Sequence, residues 1–267
     1  MKLSEGIRLL RRAGVDSAQH DAEQIFINVS GVSAIGCKLS DPESEKAELI
    51  DAFEKRAARV PLQYILGFAD FYRERYRVTE ACLIPRYDTE TLVDFAVCNI
   101  PDGERVLDLC TGSGCVGIST VKNTRGTVAT LVDISDDALE IASENASANG
   151  VRGRVELVSA DVMSYNPRGE YFAILSNPPY VSPDEYRELE KEIFFEPKIA
   201  FLGGEDGMDF YRAIISGYKS SLKAGGFMAF EIGYLQGETI KRIGEDHGFE
   251  VEIIKDLSGN DRVAVLR

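Results

Sequence analysis

The hydrophobic pattern of the chain changes once. Over about the first 60 residues apolar side chains recur every three or four positions, the period of amphipathic helices. A first turn beginning at Ser4 carries Ile7, Leu9 and Leu10. Asp16 is placed to cap a second helix, with Gln19 three residues on and Ala22, Ile25 and Phe26 sharing a face. A third start combines Asp41 as N-cap, Pro42 at the first helical position and Glu43 and Glu45 in the first turn, ahead of Leu49, Ile50, Phe53, Ala57 and Val60. "PLQYILG" (61–67) then breaks the helical period. Alternation at Tyr72, Glu74, Tyr76 and Val78 predicts a short strand or hairpin joining this part to the next.

From about Arg86 short apolar runs alternate with helical stretches. Strands are predicted at 105–109, 128–132, 154–158, 172–175, 227–232, 251–254 and 262–266. Helices fill most of the gaps, and the one over 136–149 ends at Gly150, the C′ position that favours a left-handed backbone. This alternation implies an α/β fold, a mostly parallel sheet with helices on both faces. Only "KDLSGND" (255–261) separates the last two strands, too short for a parallel crossover. The final strand is therefore expected to run antiparallel to its neighbour.

With 44% hydrophobic and 28% charged residues among 267, the chain has the composition of a soluble globular protein. No apolar run approaches the roughly 18 residues of a membrane span, so a cytoplasmic location and no membrane partner are expected. Five cysteines without a C-x-x-C pair, and only two histidines, argue against a disulfide framework and against a metal site. They read as small buried hydrophobes. Charge is uneven. Residues 1–80 hold 12 Lys+Arg and 13 Asp+Glu, whereas 81–267 hold 18 and 31, a net of −13. Duplex DNA selects a basic face, so a small cation or a basic protein suits the second part better.

"VLDLCTGSGCVGI" (106–118) reads as strand, glycine loop and helix start, and it contains G-x-G-x-x-G from Gly112 to Gly117. Three readings fit: a dinucleotide site, a site for S-adenosylmethionine, or a tight turn with no ligand. Asp133, at the end of the next strand and 19 positions beyond Gly114, can take both hydroxyls of a ribose in either nucleotide. Asp108 separates the first two. It would repel a pyrophosphate but attract an ammonium or a sulfonium, and S-adenosylmethionine carries both.

"SNPPY" (176–180) follows the fourth predicted strand, which should lie beside the first and share its crevice. Two prolines stiffen the backbone. The bland reading is an Asn-Pro turn with a packed tyrosine. The functional one starts from the delocalised lone pair of an amide or aromatic amine, whose nitrogen must be oriented and whose two hydrogens need acceptors. The Asn177 side-chain oxygen and the Pro178 carbonyl can provide the two acceptors, the Pro178-Pro179 pair fixes their direction, and Tyr180 offers a face to a planar group.

With these segments the chain resembles the protein-(glutamine-N5) methyltransferase family that modifies class I peptide chain release factors. The likeness rests on "PLQYILG" (61–67), "LIPRYDTETLV" (83–93), "DLCTGSG" (108–114), "SNPPYV" (176–181), "EPKIAFLGGEDGMDFYR" (196–212) and "DLSGNDRV" (256–263), and it covers nearly the full length. It implies a small all-α substrate-recognition domain (1–68), a hairpin linker (69–84) and a methyltransferase domain (85–267) with a seven-stranded, mostly parallel Rossmann-like sheet and an antiparallel last strand. It further implies S-adenosylmethionine as cofactor and, as target, the glutamine of the Gly-Gly-Gln motif. By position, Cys110, Thr111, Gly112, Ser113 and Gly114 form the cofactor loop, Asp133 is the ribose acid, Asp161 and Val162 neighbour the adenine, and Asn177 to Tyr180 hold the glutamine. Two positions depart from the family pattern: Cys110 stands where glycine is frequent, and Tyr87 where a second proline is usual.

Asn-Pro-Pro-Tyr also occurs in adenine-N6 DNA methyltransferases, which would need a basic groove and room for a flipped base. A non-catalytic S-adenosylmethionine-binding adaptor is a further alternative. Pro85–Glu90 reads either as a helix start capped by Asp88 or as a segment over the cofactor pocket. Glu196-Pro197 and Gly203-Gly204 are candidates for the pocket rim.

Overall fold

Apolar runs without alternation belong in the middle of a sheet, and there the strand Arg105–Leu109 (β3) sits, with its last four residues buried. In the computed structural model, which describes residues 1–267, β3 pairs in parallel with Val128–Asp133 (β4) on one side and Tyr171–Ser176 (β6) on the other. Val155–Ser159 (β5), Leu222–Glu231 (β7), Val251–Lys255 (β8) and Asp261–Leu266 (β9) complete a seven-stranded sheet in the order β5-β4-β3-β6-β7-β9-β8. All seven predicted strands are present. The final strand β9 inserts between β7 and β8 and runs antiparallel to both; the short 255–261 connection requires this of the β8–β9 pair.

Helices Glu90–Asn99 (α6), Cys115–Asn123 (α7) and Asp136–Ala148 (α8) cover one face through Val93, Ile118 and Ala142. After the short helix Pro183–Arg187 (α9), Asp209–Gly217 (α10) and Gly237–Asp246 (α11) cover the other through Tyr211, Ile214 and Ile240. The chain winds outward from β3 to β5 and then returns to β6, so the strand order switches between β3 and β6. The Ser176 hydroxyl donates to the Leu109 carbonyl at 2.7 Å and ties the two strand ends together at that switch.

The chain forms two units: Met1–Phe68 with Glu190–Phe195, and Ala69–Leu189 with Glu196–Arg267. The first is helical, with Leu3–Arg12 (α1), Ala18–Ile25 (α2), Ala34–Leu39 (α3), Ala47–Ala57 (α4) and the single turn Leu62–Leu66 (α5) around Leu10, Ile25, Phe26, Leu49 and Phe53. Three sequence expectations need correction here. The third predicted helix starts at Ala47 and not after Asp41, because Asp41 caps α1 instead: its carboxylate accepts from the Ser4 amide at 2.8 Å and the Ser4 hydroxyl at 2.7 Å. The second starts after Ser17, not Asp16. "PLQYILG" is helical rather than a break. Asp21 is buried and takes the Arg56 guanidinium at 2.7 Å, and Arg56 also donates to Glu192 at 3.1 Å, so the distant segment 190–195 completes this unit.

The hairpin Phe68–Phe71 (β1) and Glu74–Arg77 (β2), expected as a linker, belongs to the sheet unit from Ala69 onward. Phe71 and Tyr76 belong to its core and meet edge to face at 5.9 Å. The Tyr76 hydroxyl bonds Ser119 Oγ at 2.6 Å, and buried Glu74 accepts from Ser119 and Asn123 at 3.0 and 3.1 Å. Such side chains anchor a strand; a tether would leave them in water. Of the cysteines, Cys37, Cys82 and Cys115 are buried as expected, while Cys98 is exposed. No helix is long and apolar enough to cross a membrane.

If the hairpin is core, Phe71→Ala should destabilise the sheet unit by about 3–5 kcal/mol, as for other buried aromatic truncations. Tyr87→Ala, at a side chain 79% exposed, should change stability by less than about 0.5 kcal/mol. Denaturant unfolding in which both variants behaved alike would return the hairpin to the role of a tether.

Candidate active site

The loop after β3 is shaped from below. Asp108, 1% exposed at the end of the strand, accepts from the Thr111 hydroxyl at 2.5 Å and from the Gly117 amide at 2.9 Å. Burial pushes its carboxyl up to about 7, against these two hydrogen bonds. Cys110 turns the chain with φ of 57°, a left-handed backbone that costs a non-glycine residue about 1–2 kcal/mol. This accounts for glycine being frequent at that position in the resembling family. The Ser113 carbonyl accepts from Asn145 at 2.9 Å, and the Gly114 amide donates to Thr111 at 2.9 Å, closing the turn.

Asp133 ends β4 and faces the loop. One oxygen accepts from the Gly112 amide at 2.8 Å and the other from the Ser135 amide at 3.0 Å. Burial raises its carboxyl above the usual range, opposed by backbone N–H groups of Ser135, Gly112 and Ile134. The Gly112 and Ser135 bonds take one lone-pair direction on each oxygen, and a carboxylate, with about four, keeps acceptor capacity for a ribose hydroxyl. Asp161 accepts from the Met163 amide at 2.9 Å through one oxygen and keeps the other.

A cleft opens between these groups and the loop after β6. Of the residues singled out in the sequence, Cys110, Gly112, Asp133, Asp161, Val162, Asn177 and Pro179 line it. Asp108, Thr111, Ser113, Gly114, Pro178 and Tyr180 do not; they form the support just described or the tetrapeptide turn. The lining suits S-adenosylmethionine: carboxylates at Asp133 and Asp161 for hydroxyl and amino groups, and Ile134, Ala138, Ile199 and Phe210 as apolar wall for an adenine.

The tetrapeptide is held at close quarters. A Cβ on Gly203 would meet the Pro179 carbonyl at 2.5 Å and the Tyr180 Cα at 2.8 Å, so only glycine lets that strand of backbone lie against the turn. Val181 and Gly203 exchange backbone bonds with this segment, at 2.8 Å to Phe201 and 3.0 Å to Val181. Gln236 donates to the Tyr180 carbonyl at 2.9 Å. The Asn177 amide nitrogen donates to Thr89 Oγ1 at 3.3 Å, and the Tyr180 hydroxyl donates to Glu231 Oε1 at 3.2 Å. Thr89 in turn donates to Glu231 Oε2. Burial raises the Glu231 carboxyl, offset by the Thr89 bond, the Arg262 charge and the Tyr180 bond.

Thr89, Glu231 and Gln236 were not singled out in the sequence. Glu231 carries a signal of the kind that marked Asp133, an acid at the carboxyl end of an apolar strand. Asp88 does not cap a helix; it pairs with Arg262 at 3.1 Å. Residues 81–83, rather than Pro85–Glu90, line the cleft. At the expected rim, Pro197 lines the cleft, while buried Glu196 accepts from the Ile84 amide at 2.9 Å and from Arg86.

Residues 88–202 match the model of the methyltransferase small domain, and residues 2–67 match that of the PrmC N-terminal domain. A release factor glutamine methyltransferase of Thermodesulfovibrio yellowstonii is 37% identical over 260 residues, covering 92% of this chain and 91% of that one. A second, from Cereibacter sphaeroides, is 35% identical over 271 residues, covering 99% and 96%. Among solved structures, a methyltransferase from Pyrococcus furiosus superposes with a TM-score of 0.52 at 20% identity, over 68% of this chain and 82% of that one, a likeness of fold alone. With two relatives above 30% identity along nearly its whole length, the chain belongs to the release factor glutamine methyltransferase family.

Proposed function

We infer that this enzyme transfers a methyl group from S-adenosylmethionine to the side-chain amide nitrogen (N5) of the glutamine in the Gly-Gly-Gln motif of class I peptide chain release factors. Family membership supports the reaction, and one observation supports the assignment of roles: the Asn177 amide nitrogen is engaged by Thr89, which leaves its oxygen as an acceptor at the cleft. When bound, S-adenosylmethionine supplies an electrophilic methyl group on a sulfonium. Asp133 is assigned to the ribose hydroxyls, and Asp161 with Val162 to the adenine. The Asn177 oxygen and the Pro178 carbonyl are assigned the two hydrogens of the glutamine amide, which orients its nitrogen toward the methyl group. Tyr180, held by Glu231 and outside the cleft lining, is assigned a face for the amide plane. An adenine-N6 methyltransferase would share the tetrapeptide, but a net charge of −13 over residues 81–267 suits a protein substrate better than duplex DNA. The helical unit holds none of the cleft residues, and we assign it to selecting the release factor. That assignment is wrong if a chain without it methylates intact release factor at full rate.

Asp133→Ala should weaken S-adenosylmethionine binding by about 1–3 kcal/mol, the scale for hydrogen bonds to a charged group. Unchanged affinity by calorimetry would remove Asp133 from the ribose site. Asn177→Ala should lower the rate on release factor by on the order of 10²–10³, by analogy with deletion of one oxyanion-hole donor, while melting near wild type. Asn177→Asp keeps an acceptor but loses the NH₂ group and should retain partial activity at best. Normal turnover by Asn177→Ala would reduce the rigid turn to scaffolding.

A further inference from the structure

The Asn177 side chain raises a problem that its shape cannot solve. The two ends of a carboxamide are nearly the same size, so a half-turn about its last bond exchanges oxygen for nitrogen with little steric change. A methyl acceptor amide needs the oxygen. Something must therefore choose, and the choice has to be made by hydrogen-bond chemistry.

The chain of contacts behind Asn177 makes that choice. Glu231 ends β7, is 2% exposed, pairs with Val263 of β9, and holds its backbone carbonyl against the Tyr211 hydroxyl at 2.7 Å. Its two carboxylate oxygens each receive one hydroxyl, Thr89 on Oε2 and Tyr180 on Oε1. An ionised carboxylate only accepts, so both hydroxyls must donate to it. Threonine has one hydroxyl hydrogen. Once that hydrogen is committed to Glu231, the Thr89 oxygen can only accept, and the neighbour it faces at 3.3 Å must turn its NH₂ toward it. The Asn177 oxygen is then left for the cleft. Burial raises the Glu231 carboxyl, and the two hydroxyl donors together with the charge of Arg262, itself paired with Asp88 and Asp256 at 3.1 Å each, oppose that rise. The same carboxylate also anchors the far end of the tetrapeptide through Tyr180.

We propose that Glu231 and Thr89 are positioning residues for methyl transfer: they set the direction of a hydrogen-bond relay that turns the Asn177 amide oxygen toward the acceptor nitrogen. The proposal rests on the glutamine-methylating function inferred above. Neither residue lines the cleft. Glu231 acts through Thr89 on Asn177, and directly on Tyr180.

The test uses the full-length enzyme, release factor and S-adenosylmethionine carrying a labelled methyl group, with kcat and KM, cofactor affinity by calorimetry and melting temperature measured for each variant. Thr89→Val removes the acceptor and frees the Asn177 amide to turn over. Glu231→Gln gives one of the two hydroxyls an NH₂ in place of an acceptor and so allows the relay to reverse. Both should lower kcat about 10- to 100-fold, the scale of a misplaced reacting group, with cofactor affinity unchanged. Thr89→Ser keeps the hydroxyl and should retain most of the wild-type kcat. The double variant Thr89→Val with Glu231→Gln should be no slower than the slower single one, because both act on a single path. A Thr89→Val enzyme with full kcat would overturn the relay. So would a Thr89→Ser enzyme as slow as Thr89→Val, or rate losses matched by losses of cofactor affinity. Should Glu231→Gln fail to fold, the two Thr89 variants alone decide. A wild-type enzyme inactive on release factor would sink the functional reading, whereas an active wild type indifferent to Thr89→Val would sink only the relay.

Discussion

Burying the carboxylate of Glu231 is tolerable because two hydroxyl groups point at it, with the Arg262 charge nearby, and much of the active-site geometry follows from meeting that demand. A buried carboxylate short of donors loses several kcal/mol of solvation or takes up a proton. Here the donors come from two segments far apart in sequence, Thr89 ahead of α6 and Tyr180 after β6. Each is thereby fixed at the crevice where the strand order switches. The residues that satisfy the acid are thus the ones that hold the tetrapeptide, so stability and orientation are secured by the same bonds.

The cofactor side of the cleft uses the opposite device. There the acids are partly satisfied by backbone N–H groups: Gly112 and Ser135 on Asp133, and Gly117 on Asp108. Backbone donors leave lone pairs open toward the cleft at Asp133, where a ribose would complete the shell. Asp108 is turned inward, and its contribution is the shape of the loop. The left-handed turn at Cys110 shows how tightly that shape is set, since the backbone conformation is kept even where the side chain disfavours it.

What could be read from the sequence followed from local rules. The strands were legible because both their faces are covered, which leaves unbroken apolar runs; the antiparallel last strand was legible because seven residues cannot make a crossover. Asp133 and the glycine loop were legible because strand, turn and helix follow one another directly. The misreadings share a cause. Asp41 looks like the cap of the helix that follows it, yet it caps α1, 37 residues earlier. Glu192 completes a helical unit whose partner Arg56 is 136 residues away. Thr89 and Glu231 are 142 residues apart and become neighbours only when β7 and the start of α6 meet the same crevice. No local period records such pairings. The hairpin's strands of four residues give little signal of their depth beyond the alternation of Glu74, Tyr76 and Val78, three side chains that share one buried face.

An active site built to orient a carboxamide is defined by the atom that receives the methyl group. The direct measurement is to incubate the enzyme with labelled S-adenosylmethionine, a class I release factor and duplex DNA together, and to locate the label by mass spectrometry. The label should lie on the side-chain amide of the Gly-Gly-Gln glutamine, with none on adenine, and a release factor carrying glutamate at that position should take up none. Label on adenine, or equal labelling of the glutamate-bearing release factor, would contradict an active site built to orient a carboxamide.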